Sequence, residues 1–182
     1  MGFRIGAATL ALSALALAGC NKADTGPKSM EEAQKEAAKL ERPEPGLYSQ
    51  SMKITKFEVP DAPEAMKQQM KAAMAQASQT TEFCLTKEMS DKGFEEMFKD
   101  IGKGGECKYE RFNVSGGKLD AVLDCESKEE GKGRITMAGN VGADGSDITV
   151  EIDTNNPASP MGHSVIGMQM VSKRTGDCPP EK

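Results

Sequence analysis

Tryptophan is absent from this chain of 182 residues, which contains only two tyrosines, six phenylalanines and one histidine. Proteins that bind single-stranded nucleic acid stack the bases on exposed aromatic rings, and sugar-binding sites stack sugar rings in the same way. The scarcity of aromatic residues therefore argues against both kinds of binding. Basic residues are in the minority, since 23 lysines and arginines face 28 aspartates and glutamates. They form no cluster, and we therefore expect no nucleic-acid partner.

The short motifs of common catalytic and ligand sites are also lacking. The one histidine, His163, lies in the loop-like stretch NNPASPMGHS, and no G-x-S-x-G nucleophile motif accompanies it. The glycine-rich pieces lack the spacing of a phosphate-binding loop. The stretch GADGSD lacks the 12-residue ligand series of a calcium loop, so it is better explained as a hairpin turn. We expect a protein that is not an enzyme and that holds no cofactor.

Long apolar runs are missing except at the amino terminus. Residues 5–18 are mostly apolar and follow a single positive charge at Arg4. This run is too short to cross about 30 Å of hydrocarbon as a helix, which needs about 20 residues. Its length is that of the apolar region of a signal peptide, and small residues precede Cys20. We therefore expect residues 1–19 to be a signal peptide.

The junction itself, Leu17-Ala18-Gly19-Cys20, resembles the bacterial lipobox. That resemblance implies that the Cys20 thiol receives a diacylglyceryl group, that the preceding peptide is removed, and that the new amine is acylated. Several acyl chains, palmitate among them, would form a stable membrane anchor where one chain is marginal. Because Asn21 and not aspartate follows the cysteine, the resemblance favours the outer membrane. The expected location is the periplasmic side of the cell envelope.

Cysteine is scarce, and its pattern predicts disulfides and not a metal or redox site. Of five cysteines, four remain once Cys20 is assigned to the anchor, and none of them forms a C-x-x-C pair. An even number in an exported chain is typical of a disulfide framework. We predict that Cys107 pairs with Cys125 and that Cys84 pairs with Cys178.

The first pair follows from the hairpin CKYERFNVSGGKLDAVLDC. A turn at Gly116-Gly117 sets Phe112 opposite Ala121, but the same register would set Cys125 opposite Lys108 and not opposite Cys107. One extra residue at Glu110-Arg111 corrects this, and a single-residue bulge is common in antiparallel pairs. Opposed residues then lie within disulfide reach. Cys84 and Cys178 are the two cysteines that remain, so we pair them with each other.

Charge and proline divide the chain. Residues 20–42 carry the acylated cysteine and a polar stretch, in which Ser29 and Glu32 have capping-box spacing but the apolar face is almost absent. We interpret this stretch as a spacer. Residues 43–182 then form one domain.

Within that domain, hydrophobic periodicity predicts mostly strands. Two short helices interrupt them, one over residues 63–77 and one capped by Ser90, with Phe94, Met97, Phe98 and Ile101 on one side. The expected class is α+β: an antiparallel β-meander sheet with two short helices.

Several ordered segments together resemble the family called domain of unknown function 3617. These segments are Pro45-Gly46-Leu47-Tyr48, the methionine-rich helix, Phe83-Cys84-Leu85-Thr86, the cysteine hairpin, GRITMAG and Arg174-Thr175-Gly176-Asp177-Cys178. The resemblance implies a small exported bacterial protein, often a lipoprotein, with one domain. It supplies no activity and no catalytic residue.

Methionine is the one feature in excess, with 12 residues. Met66, Met70 and Met74 recur at helical spacing, Met161 lies two residues from His163, and Met168 and Met170 are two apart. Three interpretations stay open. The methionines can pack the core, form a pliable apolar surface for an envelope protein or apolar ligand, or supply thioether and imidazole ligands to Cu(I).

Overall fold

The structure, a computed structural model, describes residues 26–76, 79–94, 106–127, 131–159 and 161–180. Its elements in chain order are α1 (Met30–Ala37), β1 (Gly46–Glu58), α2 (Glu64–Gln76), β2 (Gln79–Leu85), α3 (Lys87–Lys92), β3 (Glu106–Ser115), β4 (Lys118–Ser127), β5 (Gly131–Gly142), β6 (Gly145–Asn156) and β7 (Gly162–Gly176).

The seven strands form one antiparallel sheet in the order β2-β1-β7-β6-β5-β4-β3. The predicted antiparallel sheet of an α+β protein is thus confirmed. Only β3 to β7 follow the predicted meander, because β1 pairs with the last strand and places β2 at the opposite edge from β3. This arrangement brings the start and the end of the domain together.

The predicted cysteine hairpin is confirmed in register and in its irregularity. Cys107 lies opposite Cys125, Tyr109 lies opposite Leu123, and the register shifts between Tyr109 and Arg111. The extra residue keeps apolar side chains of both strands on the same face, which explains why the bulge is needed.

The helix at residues 30–37 corrects our interpretation of a spacer. Ser29 and Glu32 form the capping box, but Ala33, Ala37 and Leu40 are buried against the sheet at 1–5% exposure. The apolar face of α1 consists largely of alanine, whose small side chains let the helix approach β3 closely. Alanine adds little to the hydrophobic pattern of the sequence, so the spacer interpretation overlooked this face. Lys28 continues this contact, since its amide donates to the carbonyl of Tyr109 at 2.8 Å.

The predicted start of the helix after β2 is also wrong. Thr86, not Ser90, caps α3, and its hydroxyl accepts from the amide of Met89. Ser90 lies inside the helix, and its hydroxyl donates to the carbonyl of Pro43 at 2.6 Å. Its role is therefore a tertiary hydrogen bond and not a cap. Of the side chains placed on this helix, Met97, Phe98 and Ile101 lie outside the described residues, whereas α2 begins and ends close to the predicted bounds.

Alternation along the strands gives the sheet one apolar and one polar face. We call the first the apolar face; by register it includes Tyr109, Phe112, Leu119, Ala121, Leu123, Ile135, Met137, Ile148, Val150, Ile152, Ile166, Met168, Met170, Met52 and Ile54. α1 covers this face over β3 and β4, where the side chains of Tyr109, Phe112 and Leu123 are fully buried. The hydrophobic core therefore lies at one end of the sheet.

Candidate functional site

The candidate site is the part of the apolar face beyond the fully buried core, against which Ile148 and Val150 still pack at its edge. It lies on β6, β7 and β1, and we call it the open face; its members are Met52, Ile54, Ile148, Val150, Ile152, Ile166, Met168 and Met170. Met52 is 36% exposed, and the others are half-buried. A sheet in a packed interior would bury such residues fully, so this face offers apolar surface to a ligand.

The borders of the open face are polar but uncharged. Ser146 and Ser172 lie opposite each other at one end, and Thr154 and Ser164 at the other, where their hydroxyls are 2.7 Å apart. By register, Gln50 continues the first border on β1. Between these borders, the described positions of this face carry no charged side chain. Such a surface favours the binding of apolar molecules over that of charged or strongly polar ones.

The methionine stripe of α2 lies beside this face and not in the core. Met66, Met70 and Met74 are each half-buried, and α2 makes a small contact with β1. A cavity of about 400 Å³ separates the two elements and includes Phe57, Lys67 and Lys71. The interpretation of this stripe as core packing is therefore supported only in part, because one side of each methionine faces solvent.

The segments that carry the family resemblance meet at one corner of the sheet, which we call the disulfide corner. Cys84 is bonded to Cys178, with 5.4 Å between their Cα atoms. Tyr48 stacks on Phe83 with ring centroids 5.6 Å apart. The Tyr48 hydroxyl donates toward the carbonyls of Glu44 and Ala143, at 2.8 and 3.0 Å.

Arg174 completes the disulfide corner. Its Nε donates to the carbonyl of Pro45 at 2.9 Å, and its guanidinium also contacts Asp177 at 2.6 Å. Gly46 has φ +154°, and a Cβ there would collide with Arg174, so glycine is required for this close approach. The groups of this corner are occupied with each other, and the corner is a structural closure of the domain.

The second disulfide joins Cys107 to Cys125 across β3 and β4, with Cα atoms 4.1 Å apart. Both pairs are the predicted ones. Both partly buried sulfurs of this pair pack against the core beside Tyr109, so the bond fastens the edge strand where α1 covers it.

The polar face holds a groove of about 710 Å³ over β3 to β6. Carboxylates outnumber basic side chains in its lining, and Arg134 contacts both Asp124, at 2.9 Å, and Glu110. The hydrogen bond that Arg134 donates to Glu110, together with the charges of both carboxylates, raises the pKa of the Arg134 guanidinium. An arginine held by two carboxylates is satisfied, which makes this groove a salt-bridged surface and not a candidate site.

His163 also lies on the polar face. Its Nε2 is 2.9 Å from Oδ1 of Asp153, and its amide donates to Asp61 at 3.3 Å. By register, Met168 and Met170 lie on the opposite face. The sheet therefore separates the imidazole from these thioethers, and sequence spacing alone could not show this because it does not reveal which neighbours share a face.

In the part of the chain that the structure describes, no group of three or more histidine, cysteine, aspartate or glutamate side chains could hold a metal ion. The same part contains no helix long and apolar enough to cross a membrane. Cys20 and the predicted signal peptide, residues 1–19, lie outside the described residues.

Comparison with protein families gives one finding. The family model described as "Protein of unknown function (DUF3617)" matches residues 43–178, which is most of the chain. Comparisons with curated proteins and with solved structures give no match.

Proposed function

The chain belongs to the DUF3617 family, and on that premise we propose that it is a lipid-anchored, non-enzymatic binding domain on the periplasmic side of the cell envelope, most consistent with the outer membrane. The lipobox-like sequence at Cys20 supports the anchor and the location. The open face supports binding, because it combines contiguous, partly accessible apolar side chains with uncharged strand positions.

The occupant of the open face is an envelope protein or an apolar ligand. Methionine at such a surface adapts to partners of irregular shape because its side chain is unbranched and polarisable. The two disulfides hold the sheet on which this surface is displayed. Tyr48 and Arg174 in the disulfide corner, and Arg134 and His163 on the polar face, already have partners within the protein, which favours a structural role for them.

The proposal is tested by photocrosslinking in intact cells. A photoreactive amino acid at position 52 lies on the open face, whereas the same group at Lys53 lies on the polar face one residue away. We expect crosslinks to a protein or lipid from position 52 and far fewer from position 53. Equal crosslinking from both positions, or none from position 52, would contradict a binding role for the open face.

A further inference from the structure

Met52 comes together on the open face with Met168 and Met170, although more than 100 residues separate it from them in the sequence. Met52 on β1 lies directly opposite Met170 on β7, and Met168 is the next residue of β7 on the same face. Directly opposed residues have Cβ atoms about 4.5–5.5 Å apart, and diagonal neighbours about 7–8 Å, which long side chains span. The three thioethers can therefore meet above the sheet.

These side chains are accessible, which a soft ligand set requires. Met52 is 36% exposed and its two neighbours are half-buried. By contrast, Met137 on the same face is only 7% exposed and packs in the core. The strand positions named for the open face carry no carboxylate or ammonium group, so no hard ligand competes there; Lys67 and Lys71 of α2 lie farther along β1, beside Phe57.

From this arrangement we infer a binding site for a soft monovalent cation, Cu(I) or its chemical analogue Ag(I), formed by the thioethers of Met52, Met168 and Met170. Thioether sulfur selects Cu(I) over the hard divalent ions, which prefer oxygen. The site differs from a Met/His site, because His163 is paired with Asp153 on the other face. The metal site is also independent of the proposed function, since an apolar surface can bind a partner whether or not it holds a metal.

Titration with Ag(I) in chloride-free buffer tests the site without a reductant that would open the disulfides. The parent for this experiment is the Cys20→Ser chain, exported so that the disulfides form; its remaining cysteines are all bonded, so no thiolate competes. We expect one Ag(I) per chain in isothermal calorimetry. Substitution of Met52, Met168 and Met170 together by leucine, which conserves volume, should abolish this binding.

The matched control replaces the same number of methionines on α2: Met66→Leu, Met70→Leu and Met74→Leu. This variant should bind Ag(I) as the parent does, and so should His163→Ala. If the triple β-strand variant does not fold, as judged by circular dichroism, Met52→Leu alone should weaken binding about tenfold or more, because even second-shell changes cost that much. No binding by the parent, unchanged binding in the strand variants, or loss in the α2 control would overturn the site.

Discussion

The two tyrosines of the chain occupy contrasting environments. Tyr48 donates its hydroxyl to two carbonyls in the disulfide corner, whereas the hydroxyl of Tyr109 is buried with no hydrogen-bond partner among the described residues. A buried hydroxyl without a partner costs free energy, and one with a partner stabilises. We expect Tyr109→Phe to raise the free energy of unfolding by about 1 kcal/mol and Tyr48→Phe to lower it by a similar amount. Urea denaturation measures both, and a Tyr109→Phe variant less stable than the parent would contradict this assignment.

Burial also raises the pKa of Tyr109. On raising the pH, the phenol ionises at a lower pH in the unfolded chain than in the folded protein. The stability that the neutral phenol contributes is therefore complete below its ordinary pKa of about 10, and it is lost as pH rises through the raised pKa of the folded state. We expect alkaline unfolding to begin at a higher pH in Tyr109→Phe than in the parent. The measurement is the melting temperature of both proteins as a function of alkaline pH. If the two proteins lost thermal stability at the same pH, Tyr109 would not be a buried titrating group.

Single residues explain both the success and the limit of prediction at this scale. The bulge at Glu110-Arg111 could be predicted because the strand alternation and the two cysteines demand the same correction. The role of Ser90 could not, because a serine that caps a helix and a serine that donates to a distant carbonyl look alike in sequence. The meeting of Met52 with Met170 depends on β1 pairing with β7, which no local pattern reveals.

At the scale of elements, α1 is the least expected part of the fold. Its contact with β3 depends on small side chains, above all Ala33, which is 1% exposed. Ala33→Leu should lower the free energy of unfolding by about 1–3 kcal/mol, since a larger side chain forces α1 from the sheet. Ala38→Leu, at the exposed C-cap of α1, is the control and should change stability by less than about 0.5 kcal/mol. Equal effects of the two substitutions would mean that α1 does not pack as described.

The order of the elements was only partly predictable. The meander of β3 to β7 follows from short connections with glycine turns, such as Gly116-Gly117. β1 pairs with β7, which is far from it in the sequence. The only indication of this pairing in the sequence was indirect: the inferred bond between Cys84 and Cys178 brings the two ends of the domain together.

At the scale of the whole molecule, that bond closes most of the domain into one loop. Cys84 and Cys178 are 94 residues apart, whereas Cys107 and Cys125 are 18 apart. In the chain-entropy view, removing the long-range bond by a double alanine substitution should cost about 4–5 kcal/mol and removing the short one about 3 kcal/mol. Thermal unfolding of the two double variants compares them. A larger loss from the Cys107–Cys125 pair would show that local packing, and not loop closure, dominates.

The central claim is that this domain works from a lipid anchor at Cys20, and metabolic labelling with palmitate tests it most directly. The parent chain should incorporate label and sediment with the outer membrane, because its acyl chains bury many CH₂ groups in the bilayer. Asn21→Asp should keep the label, which controls for expression and export. Cys20→Ser should lose both the label and the membrane association. A Cys20→Ser protein that still incorporates palmitate and sediments with membranes would contradict the claim.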